Sequence, residues 1–437
     1  MIQPDPIQIA QKGKMHAATS TDSKDYTLIG PFSEVLTFKD APLKGPLSEK
    51  DLSLIKYGGI VVSIDGTIVA VGDFASLKQQ YLKKDCRYFP IEGEMVLLPG
   101  FVDAHTHILF GGTRARDYSM RLEGKTYLEI AQEGGGIMDT VLATRSASDE
   151  NLMQSMQKRL QKMLFSGVTT AEVKSGYGLN INQEWRLLKI LKRLQQTSII
   201  DVIPTCLAAH MKPPDYPGMN SDYLAALQHK LLPLIKADQL AKRIDIFVED
   251  SAFNVAEAKG YLTAAKQAGF DITVHADQFT PGGARLAAQL GACSADHLEA
   301  STDRDIQLLA ASETVATVLP GASLGLGIPF APARRLLDAG AAVAIASDWN
   351  PGSAPMGDLL TSTALISVYE KLHLAEALAG ITFRAAKALG LTDRGRLKVG
   401  SLADMQAYPT GDYRDILYYQ GQLRPAIIWK KSISYDQ

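Results

Sequence analysis

Cysteine is scarce in this chain: three residues, Cys86, Cys206 and Cys293, stand far apart in 437. An odd, scattered set argues against a disulfide framework and for a reducing compartment. Long apolar runs are missing too. No stretch approaches the roughly 18 uncharged apolar residues of a spanning helix. The opening segment, Met1 to Lys24, is polar and lacks the apolar centre of a signal peptide. Nor is one sign of charge in excess. The formal net charge is −2 at pH 7, which leaves no basic footprint for a nucleic-acid partner. The expectation is a cytoplasmic protein with neither membrane nor nucleic acid as partner. What is present agrees: 46% hydrophobic and 21% charged residues mark a globular chain rather than a disordered one. The length suits one large domain with a smaller one beside it.

The first roughly 25 residues follow neither the helical nor the strand period and read as a loose leader. From Tyr57 the pattern changes. Two β-rich runs, 59–64 and 67–72, flank Asp65-Gly66, which is a hairpin signal. Met95 to Leu98 is a further strand, ending at Pro99-Gly100. After Phe101, short apolar runs alternate with longer amphipathic stretches. Strands are expected at Phe101–Ala104, Val168–Val173, Asp201–Thr205, Ile244–Val248, Ile272–Val274, Ala292–Ala295, Thr314–Leu319 and Val343–Ala346. Helices are expected at Asn151–Phe165, Gln183–Leu194, Ala256–Ala268 and Pro332–Ala339, the last capped by Gly340. Eight β/α units over about 250 residues are what a (β/α)8 TIM barrel requires. A doubly wound open sheet would give fewer repeats in that span. The chain turns β-like again over Gly395–Met405 and Pro425–Trp429. Neither terminal set has enough strands to bury a face, so the two are expected to combine into one small composite β-sandwich. The expected division is 1–98 for the leader and the N-terminal part of the sandwich, 99–394 for the barrel, and 395–437 for the C-terminal part.

The sharpest chemical feature is His105-Thr106-His107, directly after Pro99-Gly100-Phe101-Val102-Asp103-Ala104. Residues two apart on a strand face the same side, and the C-terminal strand ends are where a barrel places its catalysis. Of the eight histidines in the chain, His210, His275 and His297 also close apparent strands. His16, His229 and His373 lack that placement and read as surface or packing residues. Asp348 follows the apolar run Ala344-Ile345-Ala346, where an acid needs a partner if buried. Three imidazoles and a carboxylate around an open position make a catalytic metal site. Zinc and non-haem iron both suit such ligands.

The order Pro-Gly-Phe-Val-Asp-Ala-His-Thr-His, a later strand-end His and a final strand-end Asp resembles the amidohydrolase superfamily. Within it the chain resembles the imidazolonepropionase family over about residues 57 to 431. The matching stretches are Phe110-Gly111-Gly112-Thr113-Arg114, Gly134-Gly135-Gly136-Ile137, Gly167-Val168-Thr169-Thr170, Lys174-Ser175-Gly176-Tyr177-Gly178, Ala208-Ala209-His210, Ser294-Ala295-Asp296-His297-Leu298-Glu299 and Asp348 to Ser353. The His-Thr-His pair marks only the superfamily. The Lys-Ser-Gly-Tyr-Gly and Asn-Pro-Gly-Ser stretches are far more specific.

The resemblance implies that His105, His107, His275 and Asp348 bind one divalent metal, zinc or iron. It places Arg114, Tyr127, Tyr177, His210, Gln278, Asn350, Gly352 and Ser353 at substrate contacts. Arg114 suits a propionate carboxylate, which a guanidinium grips with two parallel hydrogen bonds. Gln278 and Asn350 suit ring N–H and C=O groups. The implied reaction is hydrolysis of the cyclic amide 4-imidazolone-5-propanoate to N-formimino-L-glutamate in histidine degradation. Asp348 would carry the water proton to the leaving nitrogen. His297 would either stabilise the developing oxygen or support a ligand. Binuclear members use a carbamylated strand lysine, but Lys174 stands at the end of strand two, the wrong place for that role, so one metal is expected. Superfamily members are often oligomers, which makes a homodimer the expectation by analogy.

Three features depart from the family: Ala322 to Pro329 where an aromatic-containing stretch is common, Trp349, and a longer leader. The rival inside the fold is another cyclic amidase or a deaminase acting on a different heterocycle. An arginine that grips a carboxylate speaks against a neutral nucleobase. A binding protein with a vestigial site would have lost a ligand, and none is missing.

Overall fold

The computed structural model describes residues 15–16 and 24–436, without the side chains of residues 15, 16, 127, 128 and 131. Most of the expected leader lies outside the described residues. The backbone of Met15–His16 pairs antiparallel with Ile433–Asp436.

Eight parallel strands follow one another in spatial order: Phe101–Asp103, Val168–Lys174, Asp201–Ala209, Arg243–Val248, Asp271–Ala276, Ser294–His297, Val315–Val318 and Val343–Ile345. Each matches an expected strand; the third runs on past Thr205 to Ala209. Strands one and eight meet beyond their ends, where Thr106 bridges Trp349. There the Asp348 N–H donates to His105 O at 3.1 Å and the His107 N–H to Trp349 O at 3.0 Å. The His-Thr-His segment and the Asp348 turn are therefore the seam that closes the barrel. Trp349 supplies that seam's backbone, while its ring, 7% exposed, packs where any Cβ on Gly357 would come within 2.2 Å.

The amphipathic stretches form helices, including Asp149–Phe165, Ile181–Thr197 and Val255–Gln267. Each begins where a side chain accepts a free backbone N–H: Ser148 from Asn151, Asn180 from Gln183, and Asn254 from Ala256 and Glu257. Such a cap contributes about 1 kcal/mol. The outward strand positions, such as Ala171, Val173, Ile244 and Ile246, pack with helix residues such as Leu188, Leu191 and Leu262 in one large apolar core.

The inward positions are different. Glu172 and Lys174, Arg243 and Asp245, Thr273 and His275, and Ser294 and Asp296 alternate with those apolar residues and are buried. Lys174 of strand two meets Asp245 of strand four and Asp296 of strand six. Alternate strands thus fill one layer, as barrel geometry requires, but with ions instead of branched apolar side chains.

The terminal segments meet in a second sheet of nine strands. Tyr26–Val35 pairs with Cys86–Pro90 along its first half and with Val96–Pro99 at its end. This split doubles the sheet over. Phe89 and Trp429 lie on strands that are not neighbours, yet their rings come within 6.0 Å. Phe32, Ile60, Leu97 and Met405 fill the same space. The Asp65-Gly66 hairpin forms as expected, with Gly66 at φ 82°. The C-terminal expectation needs correction: between Gly395 and Asp404 the chain is loop apart from one isolated bridge, Leu402 to Thr67, and the strand is Met405–Tyr408. Among the described residues, no helix is long and apolar enough to cross a membrane.

Candidate metal centre and active site

Four buried donors converge where the barrel closes. His105 Nε2 and His107 Nε2 are 3.2 Å apart, and His275 Nε2 is 3.2 Å from His107 Nε2. Asp348 Oδ1 lies 3.5 Å from His105 Nε2 and 3.4 Å from His107 Nε2. Donors arranged tetrahedrally at roughly 2.0–2.1 Å from an ion are about 3.4 Å from one another. The spacing is therefore that of a shell around one small cation. Asp348 Oδ1 is also buried without any hydrogen-bond donor, an acceptor that a cation would satisfy. The donor set fits a divalent metal.

Two of the three imidazoles meet a carboxylate from behind, while His107 Nδ1 is buried without a hydrogen-bond partner. His105 Nδ1 is 2.8 Å from Asp296 Oδ2, and His275 Nδ1 is 2.9 Å from Asp245 Oδ2. A carboxylate at Nδ1 holds the proton there and leaves Nε2 free for a metal. Burial pushes His105 and His107 well below the ordinary histidine range and His275 down to about 4. The neutral, metal-binding form is thus the one favoured. Burial pushes the Asp348 carboxyl up to about 7, against the pull of His297; a divalent cation beside it acts in the opposite sense. Asp348 sits at φ 50°, and His297 and Leu298 at φ 88° and 79°. Non-glycine residues in this region are strained, and such strain gathers at functional sites.

His297 closes strand six with its ring 5.4 Å from that of His275 and 5.9 Å from that of His105. Its Nδ1 lies 3.5 Å from Glu299 Oε2. Burial opposes its protonation, but Glu299 and then Asp348 outweigh it and raise the imidazole above its usual value. Glu299 accepts a 2.8 Å hydrogen bond from Ser323 Oγ. Ser323 belongs to the short helix Pro320–Leu326.

Of the other expected residues, His210 and Tyr177 pack against this centre. His210 stacks on His107 with ring centroids 5.6 Å apart, and Tyr177 lies 6.1 Å from His107 and 6.0 Å from His210. Burial pushes His210 down to about 4, and its Nδ1 lies 3.3 Å from the Gly176 carbonyl. Arg114 pairs through Nε with Asp117, and a Cβ on Gly352 would lie 3.6 Å from its Nη1. The arginine therefore stands beside the turn that leads off Asp348. Gln278 is half-buried, three residues beyond His275. Tyr127 opens the helix Tyr127–Gln132, and its side chain lies outside the described residues.

Asn350 calls for a different reading from the one its sequence suggests. Its Oδ1 accepts the N–H groups of Gly352 and Ser353, both at 2.8 Å, and its Nδ2 donates to Asp348 O at 2.7 Å and Ser353 Oγ at 2.9 Å. The amide is occupied within its own turn, and with it the Gly352 and Ser353 N–H groups.

Sequence reasoning missed several supports. Arg121 donates to Gly325 O at 3.2 Å and Gly352 O at 2.8 Å, tying together the segments after strands seven and eight. Glu184 accepts the N–H groups of Gly176, Gly178 and Leu179 at 3.0, 2.7 and 2.8 Å, which moulds the loop carrying Tyr177. Asp117 holds Arg114 and the Gly136 N–H together. Lys174, Asp245 and Asp296 had a signal: charged residues at every second position of strands that should be apolar.

The profile of the Amidohydrolase family matches residues 129–417. With the barrel and its donor cluster, this defines the class as a metal-dependent hydrolase. Imidazolonepropionases of Bacillus cytotoxicus and Myxococcus xanthus are each 40% identical to the chain, over 386 and 405 residues, covering 87% and 92% of it and 89% and 95% of their own lengths. The chain belongs to the imidazolonepropionase family of amidohydrolases. In fold it is similar to an adenosine deaminase from Xanthomonas campestris solved with bound zinc, at TM-score 0.65 and 19% identity over 93% of this chain and 92% of that one. It is also similar to a Xaa-Pro dipeptidase, at TM-score 0.67 and 16% identity over 94% of this chain and 100% of that one. At these identities the likeness is one of architecture.

Proposed function

We propose that this chain hydrolyses the cyclic amide of 4-imidazolone-5-propanoate, opening the ring to N-formimino-L-glutamate in histidine degradation. The observation that carries the reading is the placement of Arg114 beside the Gly352 turn, next to the histidine and aspartate cluster. A grip for a carboxylate thus adjoins a hydrolytic centre. Asp117 engages Arg114 at Nε and Thr140 Oγ1 accepts from Nη1 at 3.4 Å, which leaves Nη2 and the second Nη1 hydrogen for the propionate.

We assign a single zinc or iron ion to His105, His107, His275 and Asp348. Bound there, it supplies Lewis acidity and brings the pKa of water to about 7. Asp348 accepts the proton of the attacking water and delivers it to the leaving ring nitrogen. His297, whose protonated form Glu299 favours, donates to the carbonyl oxygen as charge develops on it. Tyr177 and His210 wall the ring's side of the site, and Tyr127 and Gln278 complete the substrate contacts. Asn350, Gly352 and Ser353 shape the turn on which Asp348 and Arg114 are registered. One ion is favoured over two because Lys174 is already committed as an ammonium, 2.7 Å from Glu172 and 2.9 Å from Asp245. A carbamate in its place would press a further anion against those carboxylates. A cytoplasmic homodimer completes the proposal, on superfamily analogy.

The test is steady-state hydrolysis of imidazolonepropionate, followed by loss of ring absorbance, with metal analysis of the same sample. Turnover that disappears on chelation and returns with zinc or iron supports the reading. A metal-loaded protein without turnover rejects the substrate.

A further inference from the structure

We propose that Lys174 is a positioning residue for the metal: its ammonium fixes Asp245 and Asp296, and through them the orientation and tautomer of His275 and His105. The proposal rests on the assignment of those histidines as ligands. Lys174 is fully buried at the end of strand two. Its Nζ lies 2.9 Å from Asp245 Oδ2 and 3.8 Å from Asp296 Oδ2. The same two oxygens meet the histidines, Asp245 Oδ2 at 2.9 Å from His275 Nδ1 and Asp296 Oδ2 at 2.8 Å from His105 Nδ1. Each oxygen thus lies against one ammonium and one imidazole, and for Asp245 Oδ2 and His275 Nδ1 these are close charge contacts outside hydrogen-bond geometry. Glu172, 2.7 Å from Nζ, holds the ammonium from its other side. Thr273 Oγ1 adds a 3.3 Å bond to Asp296 Oδ2, whereas Asp245 Oδ2 meets Lys174 and His275.

Two physical roles for this cation have opposite signs. Acting only through space, a buried positive charge repels a divalent ion, so its removal would tighten metal binding. Acting as an anchor, it keeps two imidazoles aimed at the ion, so its removal would weaken binding. Loss of a group that orients a ligand typically costs about 10- to 100-fold in metal affinity.

The experiment is competition for zinc between a chelating indicator and the full-length protein, on wild type, Lys174→Met and Asp348→Asn. Nitrogen-15 NMR of the metal-free protein reads the histidine tautomers, and circular dichroism checks the fold. Lys174→Gln replaces Lys174→Met if the latter does not fold. The expected result is a loss of about 10- to 100-fold in zinc affinity, with His105 and His275 no longer held as single Nδ1–H tautomers. Unchanged or tighter zinc binding in a folded Lys174 variant, while Asp348→Asn loses zinc, overturns the positioning role alone. Unchanged binding in Asp348→Asn overturns the ligand assignment, and the proposal with it.

Discussion

In the proposed reaction Asp348 binds a cation and carries a proton from a strained backbone position, φ 50°. Asparagine keeps its shape and removes both abilities. Asp348→Asn is expected to lower kcat/KM by about a thousandfold, roughly 4 kcal/mol of transition-state free energy, in a protein whose circular dichroism is unchanged. Glu184 does its work at a distance from the reaction. Three backbone N–H groups converge on its buried carboxylate. Glutamine offers fewer acceptor sites and turns an NH2 toward one of those donors, leaving a buried group unpaired at a cost of about 1–3 kcal/mol. Glu184→Gln is expected to lower the melting temperature and raise KM more than it lowers kcat. Loss of kcat alone would contradict a role in shaping the Tyr177 loop. At this scale the four proposed ligands were legible because His275 and Asp348 follow apolar runs and His105 and His107 stand two apart at a strand end. Their supports were not, because which strands face one another across a barrel is a property of closure. Asn350 shows the other limit. Its residue type suits a substrate ring, but only the folded turn shows its amide already occupied.

The helix Pro320–Leu326 ties the ends of strands six, seven and eight together. Its buried side carries Ser323 to Glu299. Its Gly325 packs so tightly that a Cβ would fall 1.7 Å from the Ser353 carbonyl oxygen. Backbone lies on the far side of that contact, so neither partner can yield by changing rotamer. Gly325→Ala is expected to push the Asn350–Ser353 turn aside and cost about 1–3 kcal/mol of stability. Since Arg121 ties Gly325 to Gly352, KM for the carboxylate-bearing substrate should rise as well. A variant with wild-type melting temperature and KM would refute the coupling of these two segments. Elements of this kind differ in how clearly a sequence writes them. The barrel strands were readable because both their faces are dry, and the hairpin because Asp65-Gly66 demands it. Tyr26–Val35 was not foreseen, since a strand that changes partners midway, from Cys86–Pro90 to Val96–Pro99, carries no single alternation. The run from Gly395 to Asp404 has one strongly β-type residue, Val399, and its glycines Gly395 and Gly400 sit at φ 80° and 86°, which breaks a strand there.

Across the whole molecule, the barrel and the nine-stranded sheet are joined by ions. Asp201, at the start of strand three, meets Arg394 and, at 2.8 Å, Lys430; Lys430 also reaches Asp404 at 2.5 Å. Burial pushes Asp201 up, but Lys430 and Arg394 more than offset it and hold the carboxyl below its usual range. Such a carboxyl binds fewer protons folded than unfolded. Its stabilisation is therefore complete above its unfolded pKa of about 3.9 and is lost as pH falls through the folded value. Asp201 is partly exposed, so solvent screening reduces the effect. Between pH 5 and 3, as rough limits set by that pKa, the melting temperature of the wild type should fall more steeply than that of Asp201→Asn. Equal slopes would remove this pair from the interface's acid response. Metal removal belongs to the same scale, because an ion that binds only the folded chain adds stability by mass action. Chelation should lower the melting temperature of the wild type and leave that of Asp348→Asn nearly unchanged.

The most direct measurement is an anomalous-difference map from crystals of the purified enzyme, recorded at the zinc and iron edges. The expected result is one peak per chain, about 2.0–2.2 Å from the Nε2 atoms of His105, His107 and His275 and from a carboxylate oxygen of Asp348. A second peak, a peak bound elsewhere, or an active enzyme with no peak among these four residues would contradict a single-ion hydrolase.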